Sequence, residues 1–251
     1  EFRRVLFRSG AFKNLVSSAT GLSSVVSVSA DELVLESNLN TYQTLRGVSV
    51  SPSFANSGAN GLDIGAANSQ AASTFYSVWV IWNGTTTAGL LSQSATSPTM
   101  PSGYTHKART GWVRTDATGN KYPLSFTQQG RSCQYKVAGG SNVTSLPIVA
   151  NGSQGTVGSV GVLVLSSAIS IPATAAKVKL SLFVSGNSTI QVSPNSNMSL
   201  AASSPAITVS TSTTTLSLMA ELTLESSGIY YAGNASSVNC TASLYGWEDN
   251  L

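Results

Sequence analysis

His106 is the one histidine of the chain, so any Ser–His–Asp hydrolase centre would have to use it. It lies in Thr-His-Lys-Ala-Arg, flanked by Lys107 and Arg109, and no Gly-x-Ser-x-Gly elbow occurs anywhere in the chain. A structural or exposed role is expected for it. Paired carboxylates are the chemistry of glycan cleavage. The acids outside the first nine residues are Asp31, Glu32, Glu36, Asp63, Asp116, Glu221, Glu225, Glu248 and Asp249. Glu221 and Glu225 share one face of a strand but stand about 13 Å apart when extended. That exceeds even the roughly 6.5–9.5 Å of an inverting pair, so surface solubility is the expected role, unless either pairs with an acid on another strand. Asp63 in Gly-Leu-Asp-Ile-Gly and Asp116 in Asp-Ala-Thr-Gly-Asn sit in loops, but neither loop has the carboxylate density of a strong calcium site. Asp116 is expected to cap its own turn. One histidine and two cysteines are too few for a transition-metal centre, so no metal and no cofactor is expected. Cys133 and Cys240 are either a disulfide or two separate buried thiols.

Aromatic rings offer a different chemistry, because they stack on the apolar faces of sugars. Trp79 and Trp82 fall within an apolar strand and are expected to pack. Tyr104, Trp112, Tyr230, Tyr231 and Trp247 are the candidate ligand-binding rings, with core or interface filling as the alternative for each. Tyr104 is the foremost of them, because it comes after a Pro/Gly-rich stretch, Ser-Pro-Thr-Met-Pro-Ser-Gly, that reads as a loop tip.

Strands must position these residues. Only 9% of the chain is charged, against roughly 25% in ordinary soluble proteins. Ser and Thr make up about a quarter of it. Thr favours strands, and Ser, Asn and Gly favour turns. Residues 74–83, Thr-Phe-Tyr-Ser-Val-Trp-Val-Ile-Trp-Asn, carry apolar side chains on both faces, as a central strand does. Ala88–Ala95 is the expected partner, and 104–115 another strand. Residues 177–184 alternate, with Val178, Leu180, Leu182 and Val184 inward and Lys177, Lys179 and Ser181 outward. Residues 216–225 repeat this, with Leu216, Leu218, Ala220, Leu222 and Leu224 as the apolar face. Ala-Asp-Glu-Leu at 30–33 reads either as the start of a helical turn or as strand. No amphipathic helix longer than two turns and no internal repeat is found. The pattern predicts an all-β, antiparallel, jelly-roll-like sandwich over residues 30–251, with a subdivision near Gly139-Gly140. Residues 10–29 read as a linker or an upstream strand.

Residues 1–9, Glu-Phe-Arg-Arg-Val-Leu-Phe-Arg-Ser, differ in composition from the rest of the chain. They resemble translated adapter sequence; a short basic targeting segment is the alternative. Without them the chain has 10 basic residues (13 less three) and 9 acidic ones (10 less one). A near-neutral body lacks the electrostatic footprint of a nucleic-acid binder. No apolar run approaches the 18 residues of a membrane span, so no membrane insertion is expected. Residues 15–30 are too polar for a signal-peptide core.

The stretch from Gly58 to Arg131 has a pattern of its own. It runs through Gly58, Gly61 and Asp63, then Tyr76, Trp79 and Asn83, then Pro98, Pro101, Gly103 and Tyr104. It continues with Arg109, Gly111, Arg114, Thr115 and Asp116, and ends in Gln129, Gly130 and Arg131. Roughly residues 30–137 resemble a module of bacteriophage and prophage virion proteins, chiefly tail fibres and related surface components. The Tyr-rich and Gly-Trp ending resembles how such proteins close. The resemblance implies a virion structural component that is often oligomeric, a trimer by analogy. It implies other virion proteins as partners and, in some members, a host-surface glycan or receptor. It brings no catalytic residues, so the expected function is non-catalytic. A carbohydrate-binding or adhesin module and a glycan depolymerase are the alternatives.

Overall fold

The computed structural model describes residues 10–63, 70–159, 171–199, 204–226 and 228–251 in full, and 162–165 as backbone. Residues 1–9, with their expected foreign origin, lie outside the described residues, as do the ends of the apolar 161–167 run. The protein is all-β, a sandwich of antiparallel sheets with one short parallel pairing; no helix occurs among the described residues. It divides into two compact units, Glu1–Thr144 with Leu251, and Ser145–Asn250. The boundary lies a few residues beyond the expected Gly139-Gly140 break.

Among the described residues the N-terminal unit has ten strands: β1 (Phe12–Lys13), β2 (Val16–Ala19), β3 (Ser27–Ser37), β4 (Tyr42–Val50), β5 (Gly61–Leu62), β6 (Phe75–Trp82), β7 (Thr87–Ser92), β8 (His106–Arg114), β9 (Phe126–Gln129) and β10 (Ser132–Tyr135). β3 organises them. β4 runs along one edge of it, while β2, β1 and β8 share the other edge in turn. From β8 the order continues β6-β7-β5, and from β2 it continues β9-β10. β6 is flanked on both edges, by β7 and β8, and both its faces are buried, as its two-sided apolar pattern requires. Residues 10–29 are part of this sheet rather than a linker. β2 lies between β3 and β9 because backbone hydrogen bonds, to which serine is no obstacle, hold it there. Ala30–Leu33 is strand and forms no helical turn.

The described residues of the C-terminal unit form eight: β11 (Ile148–Asn151), β12 (Val162–Leu165), β13 (Ala175–Ser185), β14 (Ser188–Ser193), β15 (Ile207–Thr211), β16 (Thr215–Thr223), β17 (Gly228–Gly233) and β18 (Cys240–Asp249). First pairs with last: β11 with β18, β12 with β17, β13 with β16, β14 with β15. This is one long hairpin, folded so that alternate pairs fall in opposite sheets. β13 closes on β18 and β14 on β17, giving sheets β11-β18-β13-β16 and β12-β17-β14-β15. Val178, Leu180, Leu182 and Val184 of β13 fill the core, joined by Ile190 and Val192 of β14, Ile229 and Tyr231 of β17, and Ala242 and Leu244 of β18. Lys177 on the outer face bridges Glu221 and Glu248 at 2.9 and 3.4 Å.

The apolar face of β16 is only half a core face. Ala220 and Leu222 are buried, but Leu216 is 44% and Leu218 43% exposed. Their partners across the ladder, Val184 and Leu182, are fully buried. β16 is the last strand of its sheet, so apolar alternation along it continues past the material available to cover it.

Cys133 and Cys240 are two buried thiols that form no disulfide, one in each unit. Of the two sequence alternatives, separate thiols hold. A thiol reagent at neutral pH is therefore expected to label neither in the native protein and both after denaturation. Rapid labelling of the native chain would contradict their burial.

Candidate functional site

The outer face of β8 and β6 carries a ladder of cations on rings. Lys107 Nζ stands 5.8 Å from the centre of the Trp79 ring, Arg109 Cζ 5.6 Å from that of Trp112, and Arg114 Cζ 6.0 Å from that of Phe75. Each such contact is worth about 0.5–1 kcal/mol at an exposed site. Strict alternation would put Lys107 and Arg109 on one face of β8 and Trp112 and Arg114 on the other. A β-bulge removes the conflict: Val78 pairs with Gly111 but Trp79 with Arg109, leaving Thr110 as the extra residue. Thr110 is buried and donates its hydroxyl to Val78 O at 3.1 Å. Gln128 of β9 secures the bulge from across the core, donating Nε2 to Thr110 O at 2.7 Å. A Cβ on Gly111 would lie 2.2 Å from Gln128 Oε1, so a side chain there would have to displace the Gln128 amide that holds the bulge.

At the Lys107–Arg109 end of this ladder a cleft of about 520 Å³ opens, within the range of small-molecule sites. Trp79, Lys107 and Arg109 line it with Glu36, Ser37, Asn38 and Asn40 around the β3–β4 turn, with Ala95 to Ser97, and with Gly10 and Leu251. Glu36 sits directly across the ladder from Lys107. Its Oε1 accepts the Tyr42 hydroxyl at 3.3 Å. The walls are built rigidly. Ser37 Oγ accepts from Leu39 N and Thr41 N, both at 3.2 Å, and Asn40 takes a left-handed φ of 55°. On the far wall Ser94 Oγ accepts from Ser97 N at 2.9 Å. The Trp79 indole is fixed from below, donating Nε1–H to Ser77 Oγ at 2.7 Å. Leu39 in the same turn is 85% exposed.

The rings singled out from sequence divide. Trp112, Tyr231 and Trp247 are core residues, Trp112 against the edge of Phe75 at 6.4 Å and Tyr231 donating its hydroxyl to Gly152 O at 3.0 Å. Burial raises the Tyr231 phenol, so it stays protonated. None of the three is presented for stacking from solvent. Tyr230 is half-buried and alternates to the face opposite Tyr231. Tyr104 is not at a loop tip; with Met100 it packs on Trp79, Ile81, Ala88 and Leu90. The exposed tip is Ser102-Gly103. The cleft residues Lys107, Arg109, Glu36, Asn38 and Asn40 were not legible as a group, since their meeting depends on the bulge and on the long-range β3–β8 pairing.

The remaining candidates are structural. His106 contacts the hydroxyls of Thr41 and Thr105 at 3.2 and 2.9 Å and meets Trp82 edge-on. Glu221 pairs with Lys177, whereas Glu225 accepts from Asn195 at 2.8 Å. No cluster of three or more His, Cys, Asp or Glu suited to a metal occurs among the described residues. Asp63 pins two loops, accepting from Ser92 Oγ at 2.6 Å and Thr99 N at 3.1 Å.

Asp116 does cap its turn: Oδ1 accepts from Thr118 N and Oγ1, and Oδ2 from Asn142 Nδ2. Burial by itself would raise its carboxyl. The Thr118 hydroxyl, the Asn142 amide and the backbone bonds to Thr118 and Tyr122 outweigh burial and hold it below its ordinary 3.8. A depressed carboxyl stabilises the fold fully above its unfolded value and loses that contribution as pH falls through the folded one. Asp116→Asn is thus expected to cost about 2 kcal/mol at pH 7. The gap to the parent should close below about pH 4. Thermal melts across pH 2–7 test this; a gap constant with pH would refute it. The chain matches no family model, no curated protein and no solved structure.

Proposed function

We propose that the protein is a non-catalytic virion surface component of a bacteriophage or prophage, of tail-fibre or head-surface type. The observation that carries this reading is the strand order of the C-terminal unit. We read the long hairpin folded into sheets β11-β18-β13-β16 and β12-β17-β14-β15 as jelly-roll-like, which supports a virion role because jelly rolls are an architecture of viral capsid and lectin domains. The resemblance of residues 30–137 to virion modules supports it from the other unit. Its polar residues, Asp63, Asp116 and Arg131, spend their hydrogen bonds on loops and on the chain end. They act as chassis, not as reagents. Such a protein works by geometry: a rigid framework holds loops against a host surface or neighbouring virion proteins. The chain would serve as a homo-oligomer, a trimer by analogy.

Immunogold labelling of particles from a lysogen carrying the gene tests this reading. Gold at the tail or on the head is expected. Label confined to the soluble fraction of the lysate overturns it. The cleft beside Lys107 favours a second reading, a carbohydrate-binding or adhesin module outside any particle, which would give that soluble label.

A further inference from the structure

We propose that the cleft at the junction of β3 and β8 binds a saccharide bearing an anionic group, with Lys107 as its charge contact. This deepens the reading of a protein that touches a host surface and names the chemistry of what it touches. Three observations converge there.

The first is an unspent cation. Lys107 is half-buried, and among the described residues its ammonium has no hydrogen-bond or ion-pair partner, only the face of Trp79. Its cross-strand neighbour Glu36 is in register but is bonded to Tyr42 instead. An ammonium partly withdrawn from water and left without an acceptor favours an incoming anion. The second is a pair of unspent amides. The side chains of Asn38 and Asn40 make no hydrogen bond among the described residues, although the turn bearing them is tied down by Ser37. Each offers both donor and acceptor, which suits vicinal hydroxyls. The third is the mixture of signs. Lys107 and Arg109 line the cleft together with Glu36 and the chain-end residue Leu251, so cations and acceptors stand side by side there. An inorganic anion would use the cations and leave Glu36 opposed to it. A sugar with one acidic substituent uses both, its anion toward Lys107 and its hydroxyls toward Glu36 and the amides. Trp79, held by its bond to Ser77, fixes the depth of the floor and the reach of the lysine above it.

Two polymers carry this chemistry, one through a carboxylate and one through a phosphodiester. Calorimetric titration of the full chain with an oligogalacturonate, a poly(glycerol phosphate) bearing sugar substituents and a neutral dextran separates them. At least one anionic ligand is expected to bind and dextran not to. Binding should weaken at least tenfold in Lys107→Met, several-fold in Asn38→Ala, and further as salt is raised. Both variants change exposed or half-exposed side chains, and melting curves matching the parent will show them folded. No heat with either anionic ligand, or binding that both variants retain in full, overturns the proposal. Gold-labelled particles without saccharide binding would sink this inference alone. Saccharide binding by a chain that never labels particles would sink the virion reading alone.

Discussion

Trp112→Ala is expected to destabilise the protein by about 3–5 kcal/mol, the cost of emptying a buried aromatic site. The indole is 4% exposed. It forms a T-shaped pair with Phe75, and the Arg109 guanidinium lies over its face. Alanine leaves a cavity beneath the cation ladder and removes the surface on which Arg109 rests. Calorimetry should show the melting temperature down by about 10 °C or more, and Trp112→Phe should recover most of it. Were Trp112 a sugar platform, the result would be the reverse: an unchanged melting temperature with ligand binding lost. That reverse outcome would refute the packing described for β6 and β8.

Gly89→Ala is the second large effect, expected at about 3 kcal/mol, the upper end of ordinary overpacking. Gly89 lies in β7 opposite Val80, and its N–H donates to Asn60 Oδ1 at 2.9 Å. A Cβ there would lie 2.5 Å from Pro52 Cδ and 2.7 Å from Cγ. A proline ring cannot rotate away, and Pro52 is anchored because its carbonyl accepts from Val26 N at 2.9 Å. Gly103→Ala is the control. Its φ is +84°, but a Cβ would meet nothing within 4 Å, so only backbone strain of about 1 kcal/mol is expected. Denaturant unfolding of the two variants should therefore differ severalfold in effect. Equal losses would mean that conformation, not the ring, dictates Gly89.

Legibility tracked the range of the interaction involved. Two-sided burial of β6 could be read from Phe75 to Trp82, because apolarity on both faces has one physical outcome. The inward set of β13 could be read from Val178 to Val184 for the same reason. The half-exposed face of β16 could not, because alternation reports which side chains share a face and not whether another sheet covers it. Trp112, Tyr231 and Trp247 stood out as aromatics in a polar sequence, yet a ring's type does not say which way its strand turns it. Residues 10–29 read as either a linker or an upstream strand, because their pairing uses backbone bonds that side-chain composition does not report.

The amino-acid sequence by itself determined the all-β class, the strands rich in β-branched and aromatic residues, the Asp116 turn and the poverty of catalytic groups. These rest on local sterics, period-two patterning and the inventory of side chains. Tertiary structure alone decided that Lys107 and Trp112 share a face, because one bulged residue, Thr110, reverses the parity of β8. It alone decided that Glu36 meets Lys107, since 71 positions of chain separate them and only the pairing of β3 with β8 joins them. Parity and long-range pairing are set by the closure of the whole sheet, to which no short window of sequence has access.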